Sequence, residues 1–438
     1  MLNLTKGQQE GADAFFDFLN SDSDTFALSG SAGTGKTFLL GQLCDRVMPE
    51  YKATCKLMGV EPQFDEIIFT ATTNKAAEVL ERSIGRDATT VHKLLKLKVR
   101  EDFKTGKTYI TKTDGTRPIK RTIVVIDESS MVDTPLYTIL LAMAEGSKLV
   151  FVGDHAQMAP VGEEISPVYQ HVDPKYHVTL TEPVRNADSQ PLMDLCDQLR
   201  DSVETNVFHP IDPVPGAIEY LNDDGMNAAF KEYFLSGEEG RARVLTYTNS
   251  RVQFFNQGLR AMRGKPLDFQ KGDVLVVASA YAQKGAILNV EREVEVLGIS
   301  QHVEDGGYHN MGIMGESLLY REIEVQALTG ARAIVKGRIP EKPHVLQMTI
   351  KALAKQKNWP EYFALKNAYL DLRDRDACTV YKSQGSTYDA VFLDLGNIGT
   401  SHDPEQVARM LFVGASRAKE RVFLYGRLPG KYIGTRAA

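Results

Sequence analysis

The string GSAGTGKT, from Gly30 to Thr37, holds the residues with the clearest capacity for chemistry. A run typical of a buried strand, TFALS, precedes it, and an apolar helical pattern follows it. In that setting, the backbone N–H groups of a small-residue loop and the N-terminus of a helix bind phosphates. We expect Lys36 to reach the β- and γ-phosphates of a nucleotide and Thr37 to ligate Mg²⁺. The predicted nucleotide-contacting residues of this loop are Gly30, Gly33, Thr34, Gly35, Lys36 and Thr37.

Two acidic residues in VVIDESSM complete the predicted site. Asp127 ends an apolar strand pattern, where a carboxylate is costly unless a cation pairs with it, so we expect it to hold the same Mg²⁺. Glu128 is placed to act as the general base on an attacking water. Gln157, in VGDHAQMAPVGE, follows another apolar strand pattern and can contact the γ-phosphate. The guanine-reading NKxD motif of GTPases does not occur at the expected place, so ATP and Mg²⁺ are the predicted cofactors.

The surrounding pattern is that of an α/β protein. Short apolar runs alternate with helical patterns, which favours parallel sheets buried on both faces, with strand candidates at 25–29, 66–71, 122–127 and 148–153. The pattern FLLGQLCDRVM predicts a helix that stops before Pro49. A second α/β pattern begins near residue 178. Between about 272 and 350, short segments alternate with Gly-rich turns, which predicts a small antiparallel barrel inserted in that second unit.

Bulk composition limits the class of protein. Of the 438 residues, 43% are hydrophobic and 25% are charged, which is typical of an ordinary globular chain. No apolar run approaches the roughly 18–20 residues that a membrane span needs, and no secretory pattern is visible at the start. The four cysteines form no CxxC pair, which favours reduced thiols. We therefore expect a cytoplasmic protein of several domains, without membrane contact.

Positive charge is concentrated in one segment although the formal net charge is −6. Residues 93–121 hold ten Lys and Arg against three acidic residues, a local net charge of +7. The segment also reads as a β-hairpin turning around Thr105-Gly106-Lys107. Such a charge run is often only a solvated surface. Its position between two motifs described next favours a nucleic-acid contact.

Seven further motifs occur in a fixed order along the chain. They are LTKGQ (4–8), TATTNKAAEVL (70–80), ATTVHKLL (88–95), LTEPVRN (180–186), TYTNSRVQFFN (246–256), CTVYKSQGSTYDAVFLD (378–394) and RMLFVGASRAKERVFLY (409–425). Each short match alone is weak, but the ordered set resembles the superfamily 1B DNA helicases of the RecD/Dda group over nearly the whole chain. Thr72 and Tyr381 depart from the Pro and His usual in that family, which bears on the grip on DNA.

The resemblance implies two RecA-like parallel-sheet motor domains with insertions. The first, with the phosphate loop, would span 1–178 and carry the β-hairpin insertion at 93–121. The second would consist of 179–264 and 372–438, with an SH3-like small barrel at 265–350 and a helical tower at 351–371 inserted in it.

The family's functional residues carry over onto matching positions. Arg185 and Arg417 would act as arginine fingers on the γ-phosphate, and Gly385 would lie at the nucleotide. Gln8 would contact adenine, although Thr5 to Gln8 also fits a helix capping box and the two roles compete for one side chain. We favour the adenine contact. The residues expected to contact DNA are Thr73, Asn74, His92, Lys382 and Gln384.

The basic hairpin occupies the family's position for the pin that splits a duplex. Phe103 and Tyr109 are candidates to stack on the last base pair, with a surface hairpin as the alternative. Stacking on an aromatic ring is worth about 1–3 kcal/mol per base, which is similar to the roughly 1.4 kcal/mol of one base-pair step. Trp359, the only tryptophan, either packs in a core or contacts DNA; both remain open.

The predicted function is an ATP- and Mg²⁺-dependent helicase that moves 5′ to 3′ on single-stranded DNA and opens duplex or forked DNA. The polarity, and a role in phage replication or recombination within a host cytoplasm, follow from the resemblance only. We expect a monomeric motor with a single-strand binding protein among its partners. The alternatives are a translocase that strips proteins but unwinds poorly, and a catalytically quiet DNA-binding subunit. The residues leave open whether the track is DNA or RNA.

Overall fold

A computed structural model describes residues 4–31, 33–182, 189–237, 240–283, 286–305, 317–329 and 332–434. Up to residue 182, the strands are β1 (Thr25–Gly30), β2 (Glu66–Ala71), β3 (Ala88–Thr90), β4 (Lys98–Glu101), β5 (Thr108–Thr111), β6 (Thr122–Asp127), β7 (Lys148–Gly153) and β8 (His177–Leu180). The helices are α1 (Lys6–Leu19), α2 (Lys36–Gln42), α3 (Met48–Leu57), α4 (Asn74–Ile84), α5 (Val91–Leu94), α6 (Thr134–Met143) and α7 (Pro167–His171).

The rest of the chain begins with α8 (Gln190–Thr205), β9 (Ile218–Leu221), α9 (Asp223–Phe234), β10 (Ala242–Thr246) and α10 (Asn249–Met262). An inserted part holds β11 (Val274–Val277), β12 (Tyr281–Gln283), β13 (Ala286–Leu288), β14 (Glu293–Ile299), β15 (Glu304–Asp305), β16 (Leu319–Ala327), β17 (Ile334–Pro340), α11 (Pro343–Lys355), α12 (Trp359–Ala368) and β18 (Leu372–Asp374). The last elements are β19 (Ala377–Thr379), α13 (Val380–Ser383), β20 (Tyr388–Asp394), α14 (Leu395–Ile398), α15 (Pro404–Ala415) and β21 (Ala418–Tyr425).

Two fully parallel sheets form the cores of the two motor domains. The first runs β3-β2-β6-β7-β1-β8 and the second runs β19-β10-β20-β21-β9. When the strands of each sheet are numbered in chain order and β8 is left out, both sheets have the same strand order, 3-2-4-5-1. Strands such as β1 and β7 are buried along their whole length, as their apolar runs predict. The prediction of two RecA-like domains is confirmed.

The chain does not leave the helix at Pro49, so that prediction is wrong. After α2, residues Leu43–Val47 form a π-helical turn, and α3 starts at Met48 with Pro49 in its first turn. Proline is tolerated there because the first N–H groups of a helix have no intrahelical acceptor. The wider π turn re-phases the chain, so that Met48, Tyr51 and Cys55 stay buried.

The inserted part of the second domain is mainly antiparallel. Its sheet runs β15-β16-β14-β11-β18 with β17 paired to β16, and β12 and β13 form a separate hairpin. Among the described residues, no strand pairing closes this sheet into a barrel, so the closed barrel remains a prediction. Helix α11 already begins at Pro343, within the range predicted for the barrel, and packs with α12. Strand β18 pairs with β11 of this sheet, and β19 pairs with β10 of the parallel sheet.

Two further observations concern the surface and the thiols. No helix within the described ranges is long and apolar enough to cross a membrane. The four cysteines are free thiols.

Candidate nucleotide site and nucleic-acid interface

The phosphate loop connects β1 to α2 at the carboxyl end of the first sheet. Gly33 and Gly35 have φ angles of +88° and +82°, which residues with a Cβ rarely adopt. The ammonium group of Lys36 folds back and donates to the backbone oxygens of Gly30 at 2.6 Å and Ser31 at 2.9 Å. Burial lowers the pKa of Lys36, and the nearby carboxylates oppose that shift. A desolvated cation enclosed by backbone dipoles is suited to bind an anion.

Asp127 and Glu128 lie at the end of β6, beside this loop. Burial, followed by the neighbouring Glu128, raises the pKa of Asp127 to about 7. Burial likewise raises the pKa of Glu128, whereas Arg417 and Lys36 act in the opposite direction. Glu128 adopts a left-handed backbone with φ +54°, which is uncommon for a residue with a Cβ.

These groups fit a divalent cation. A carboxylate whose charge is disfavoured by burial gains most from a metal ion. Thr37 and Asp127 would supply oxygen ligands of the kind that Mg²⁺ prefers. The described residues contain no group of three or more His, Cys, Asp or Glu that could hold a metal by themselves.

The segment Lys382–Ser386 of the second domain faces the carboxylates. A Cβ added to Gly385, whose φ is +70°, would lie 3.7 Å from Oε1 of Glu128. The amide of Gln384 donates to Oε1 of Gln157 at 3.3 Å. Within the described part of the chain, buried Gln384 Oε1, Ser386 Oγ and Ser130 Oγ have no hydrogen-bond partner. Unpaired buried polar atoms are rare, and these three belong to the segments that carry Glu128 and Gly385.

Of the two predicted arginine fingers, Arg417 can be placed and Arg185 lies outside the described residues. Arg417 is buried just after α15, and its guanidinium bonds to the oxygens of Val413 at 3.1 Å and Ser416 at 2.9 Å. It is close enough to Glu128 to lower the pKa of that carboxyl. The arrangement therefore has a cation from the second domain beside the carboxylates of the first.

Gln8 serves the helix start and also touches the phosphate loop. The side-chain Oε1 of Gln8 accepts from the backbone N–H of Thr5 at 3.1 Å. The backbone N–H of Gln8 donates to Thr5 Oγ1 at 3.3 Å, so the capping box forms. The remaining Nε2 donates to the Thr34 oxygen at 3.4 Å. The expected adenine contact remains a prediction, since the buried side chain already has these partners.

The residues expected to contact DNA lie in two groups. Thr73 caps α4 after β2 and Asn74 follows it, both exposed, while half-buried His92 follows the adjacent strand β3. Burial lowers the pKa of His92, which favours a neutral ring. On the second domain, Lys382 bonds to the Ala278 oxygen at 3.1 Å and to Glu291 at 3.0 Å.

The basic hairpin is formed by β4 and β5 and rests on the α11–α12 pair. Lys98 pairs with Thr111 and Glu101 with Thr108, so the turn lies at residues 102–107. The Phe103 ring meets Phe363 edge to face with centroids 5.8 Å apart, and Asn367 donates to Glu101 at 2.7 Å. Both predicted stacking residues remain half exposed, Phe103 at 54% and Tyr109 at 50%.

Trp359 covers the tip of this hairpin. A Cβ added to Gly106 would lie 2.5 Å from Trp359 ring atoms. The indole also meets Tyr362 edge to face at 5.5 Å. Trp359 therefore braces the hairpin, and any contact with DNA remains a prediction.

Sequence reasoning missed three charged residues at the cleft. Asp154 follows β7 and is fully buried against Arg200, while Arg409 donates to backbone oxygens of the Gln157 loop. The sequence carried a weak signal for Asp154, because an acidic residue directly after a buried strand needs a partner. No local pattern indicated which arginines would supply it.

Comparisons with known proteins agree with this geometry. A family model described as an AAA domain matches residues 3–214, and one described as a UvrD-like helicase C-terminal domain matches residues 376–425. The ATP-dependent DNA helicase dda of Enterobacteria phage T4 is 23% identical over 462 residues, covering 96% of this chain and 99% of the relative. The ATP-dependent RecD2 DNA helicase of Deinococcus radiodurans is 24% identical, covering 91% of this chain and 46% of the relative.

Among solved structures, Pif1 helicase from Bacteroides in complex with ADP-AlF3 and ssDNA matches at 13% identity and a TM-score of 0.49, covering 100% of this chain and 95% of that one. The family models match one in each motor half, on either side of the cleft, and the dda relative aligns from end to end. The motifs lie in the family's order, with the phosphate loop, carboxylates and Gln157 on the first domain and Gln384, Gly385 and Arg417 on the second. Along nearly its whole length the chain is similar to ATP-dependent DNA helicases of the superfamily 1B Dda/RecD group.

Proposed function

We propose that this chain hydrolyses ATP to move 5′ to 3′ along single-stranded DNA and to separate duplex or forked DNA. The observation that carries the proposal is the position of the second domain's Gln384–Gly385 against Gln157 and Glu128 of the first. A nucleotide at the phosphate loop would contact both domains, so its binding and loss would change how they close. The 5′-to-3′ direction rests only on the resemblance to superfamily 1B helicases.

Each residue of the cleft has a role that its position supports. Lys36 would exchange its two backbone oxygens for phosphate oxygens. Glu128, whose pKa is raised by burial, would accept the proton of the attacking water. Arg417 would leave its own helix end to stabilise charge developing on the γ-phosphate, an effect worth roughly 10³–10⁵ in rate where it has been measured. Mg²⁺ held by Thr37 and Asp127 would neutralise phosphate charge.

The proposed track for the single strand crosses both domains. Thr73, Asn74 and His92 would hold it on the first domain, and Lys382 would hold it on the second after releasing Glu291. Alternating grip by these two groups, as the cleft closes and opens, would advance the motor. Contacts to phosphates and base faces read little sequence, so we expect weak sequence preference.

The basic hairpin is the proposed strand separator. A pin must resist the force of an approaching duplex, and this one is braced by Phe363 and Trp359 of the α11–α12 pair. Phe103 and Tyr109 keep about half of their surface for stacking. The domain limits stay a proposal at 1–178, 179–264 with 372–438, 265–350 and 351–371, although α11 begins at Pro343, inside the range proposed for the barrel.

The test compares ATP hydrolysis, with and without a single-stranded oligonucleotide, with unwinding of a forked duplex. We expect strong stimulation by the oligonucleotide and unwinding that needs ATP and Mg²⁺. The Phe103→Ala/Tyr109→Ala double variant should keep the stimulated ATPase and lose unwinding. Absence of stimulation in the unaltered chain would contradict the proposal.

One observation favours the runner-up function, a translocase that strips proteins and unwinds little. Part of the Phe103 ring packs against Phe363, so a smaller part of the ring is free to stack on a base pair. If the unaltered chain displaces a bound protein from single-stranded DNA but opens neither fork nor tailed duplex, the translocase is correct.

The proposed setting also comes from the family. We propose that the chain works in the cytoplasm, of a host cell if it is phage-encoded, on DNA being replicated or recombined. It would act as a monomer and meet single-strand binding protein on its track. The monomeric state is tested by sedimentation of the chain bound to an oligonucleotide long enough for one copy only.

A further inference from the structure

The loop Asp154–Met158 leaves β7 of the first sheet but is buried against the second motor domain. Ala156 and Met158 are fully buried. They pack in an apolar cluster whose other buried members, within the described ranges, all lie beyond residue 190, among them Leu192, Val380 and Phe412. The loop that carries Gln157 therefore belongs to one domain by chain connection and to the other by packing.

A buried ion pair fixes the start of this loop. Both carboxylate oxygens of Asp154 accept from Nη1 of Arg200, each at 2.9 Å. Oδ1 of Asp154 also accepts from the Ala156 amide at 3.1 Å, which sets the turn. Arg200 lies on α8, which packs on α15 of the second domain. Because breaking one side of a buried pair leaves an uncompensated charge, the pair opposes withdrawal of the loop from the second domain.

A second arginine holds the rest of the loop through its backbone. Arg409, buried on α15, donates through Nη1 to the oxygen of His155 and, at 2.7 Å, to the oxygen of Gln157. Its other face bonds to Glu405 on the same helix at 2.6 Å and 3.0 Å. Because Glu405 fixes the other nitrogens of this planar guanidinium, the direction of Nη1 is set, whereas a flexible lysine ammonium has no such second contact.

Gln157 lies between these two anchors. Its amide donates to the Asp154 oxygen at 3.0 Å, and its side chain meets Gln384 of the second domain. The ion pair is also close enough to act on the phosphate loop. Burial is the main cause of the lowered pKa of Lys36, and Asp154 and Arg200 act on it in opposite directions.

We propose that Arg200 and Arg409 are positioning residues for ATP hydrolysis, which tie the Gln157 loop to the second motor domain. Resting on the helicase function proposed above, the inference is that domain 2, which also grips DNA, sets the position of Gln157 at the γ-phosphate. DNA binding would then reach the phosphate through this loop. A brace with only a structural role would affect stability and leave the response to DNA intact.

The test uses Arg200→Lys and Arg409→Lys in the full chain, since lysine keeps the charge and loses the second contact, to Glu204 or Glu405, that orients each guanidinium. We expect the turnover number with single-stranded DNA to fall at least about fivefold, the lower end for coupling between two sites. KM for ATP should stay within about twofold, since lysine keeps the charge that acts on Lys36 and neither arginine hydrogen-bonds to the phosphate loop. Adding Gln157→Ala to either variant should cause no further loss, because all three act through one group.

The matched control is Arg263→Lys. Arg263 makes a two-pronged pair with Asp376, at 2.5 Å and 2.7 Å, which is buried to a similar extent as the Arg200–Asp154 pair but lies wholly within the second domain. Arg263→Lys should lower the melting temperature by about as much as Arg200→Lys does, and it should leave the stimulation of ATPase by single-stranded DNA unchanged. Unchanged stimulation in both test variants, or an equal loss in the control, would overturn the inference.

Stability and the helicase proposal can be separated from this inference. If the lysine variants unfold more easily than the control, hydrogen–deuterium exchange on the unaltered chain decides. Peptides covering 154–158 should gain protection together with α8 and α15 when DNA binds, and protection that follows β7 alone would refute the inference. If the unaltered chain shows no DNA-stimulated ATPase, the helicase proposal itself fails.

Discussion

The contact between the hairpin tip and Trp359 allows strand separation to be tested apart from ATP hydrolysis. Gly106 has φ +72°, and a Cβ there would lie 2.5 Å from the indole ring, far inside the 3.5–4.0 Å of ordinary carbon contacts. Gly106→Ala therefore forces the hairpin and α12 apart. Overpacking of this kind costs about 1–3 kcal/mol.

The contacts that would keep the hairpin docked are of similar strength. The Phe103–Phe363 ring pair contributes about 0.5–1.5 kcal/mol, and the hydrogen bond from Asn367 to Glu101 contributes about 1 kcal/mol. Together they amount to roughly 2 kcal/mol, a ratio of about 30 to 1 for docked over undocked. Subtracting the overpacking cost of Gly106→Ala from this docking free energy leaves the docked and undocked hairpin about equally populated. We expect unwinding to slow by roughly two- to fivefold, since only a docked pin can resist the duplex.

The assay is single-turnover unwinding of a forked duplex, run beside single-stranded-DNA-stimulated ATPase. Gly59→Ala is the control, because Gly59 has the same φ of +72° with open space around its Cβ position. Gly59→Ala introduces the same backbone strain at positive φ but no clash with an aromatic ring. Unwinding at the original rate in Gly106→Ala, or an ATPase that falls in parallel, would refute the bracing role.

Three further predictions concern single lysines. Lys36→Ala should abolish ATP turnover and retain binding of single-stranded DNA, as measured by ATPase and fluorescence anisotropy; loss of both would place Lys36 in the fold rather than the chemistry. Lys382→Ala should reduce the log–log salt slope of single-strand binding by about 0.7, one phosphate contact. Burial lowers the pKa of Lys148 from 10.5 to about 8. Between pH 8 and pH 10.5 the Lys148 side chain therefore carries a proton in the unfolded chain and has lost it in the folded chain. The free energy of unfolding consequently rises with pH in this range. Relative to Lys148→Met, the unaltered chain should gain about 1–2 kcal/mol in free energy of unfolding from pH 8 to 10; a flat difference would contradict this.

Much of the fold is readable from local sequence because its cause is local. The runs at β1, β6 and β7 are apolar on both faces, so a parallel sheet is the arrangement that buries them. The phosphate loop follows from glycines that adopt left-handed backbone between a strand and a helix. Both features are determined by residues close in sequence.

The helix through Pro49 shows where local rules fail. A proline usually ends the preceding helix, and here a π turn at Leu43–Val47 lets a new helix start around it. Such a turn depends on packing of Met48 and Tyr51 against the domain core rather than on a residue pattern. Gln8 is a milder case, in which one side chain completes the capping box with Oε1 and reaches the phosphate loop with Nε2.

Contacts between the domains were the least predictable part of the site. Arg200 and Asp154 are 46 positions apart, and Arg409 is 252 positions from Gln157. No period or spacing relates such residues, since their meeting depends on how two folded domains dock. The motif order predicts that Glu128 and Gly385 face one nucleotide, and the two do lie close together, but only the structure shows that the Gln157 loop is packed in the second domain.

The most direct test of the central claim is unwinding of two partial duplexes with ATP and Mg²⁺, one with a 5′ single-stranded tail and one with a 3′ tail. We predict that only the duplex with the 5′ tail opens, as a motor of this group that advances 5′ to 3′ requires. Opening from the 3′ tail alone would contradict the direction of movement, and opening of neither, despite DNA-stimulated ATPase, would contradict strand separation itself.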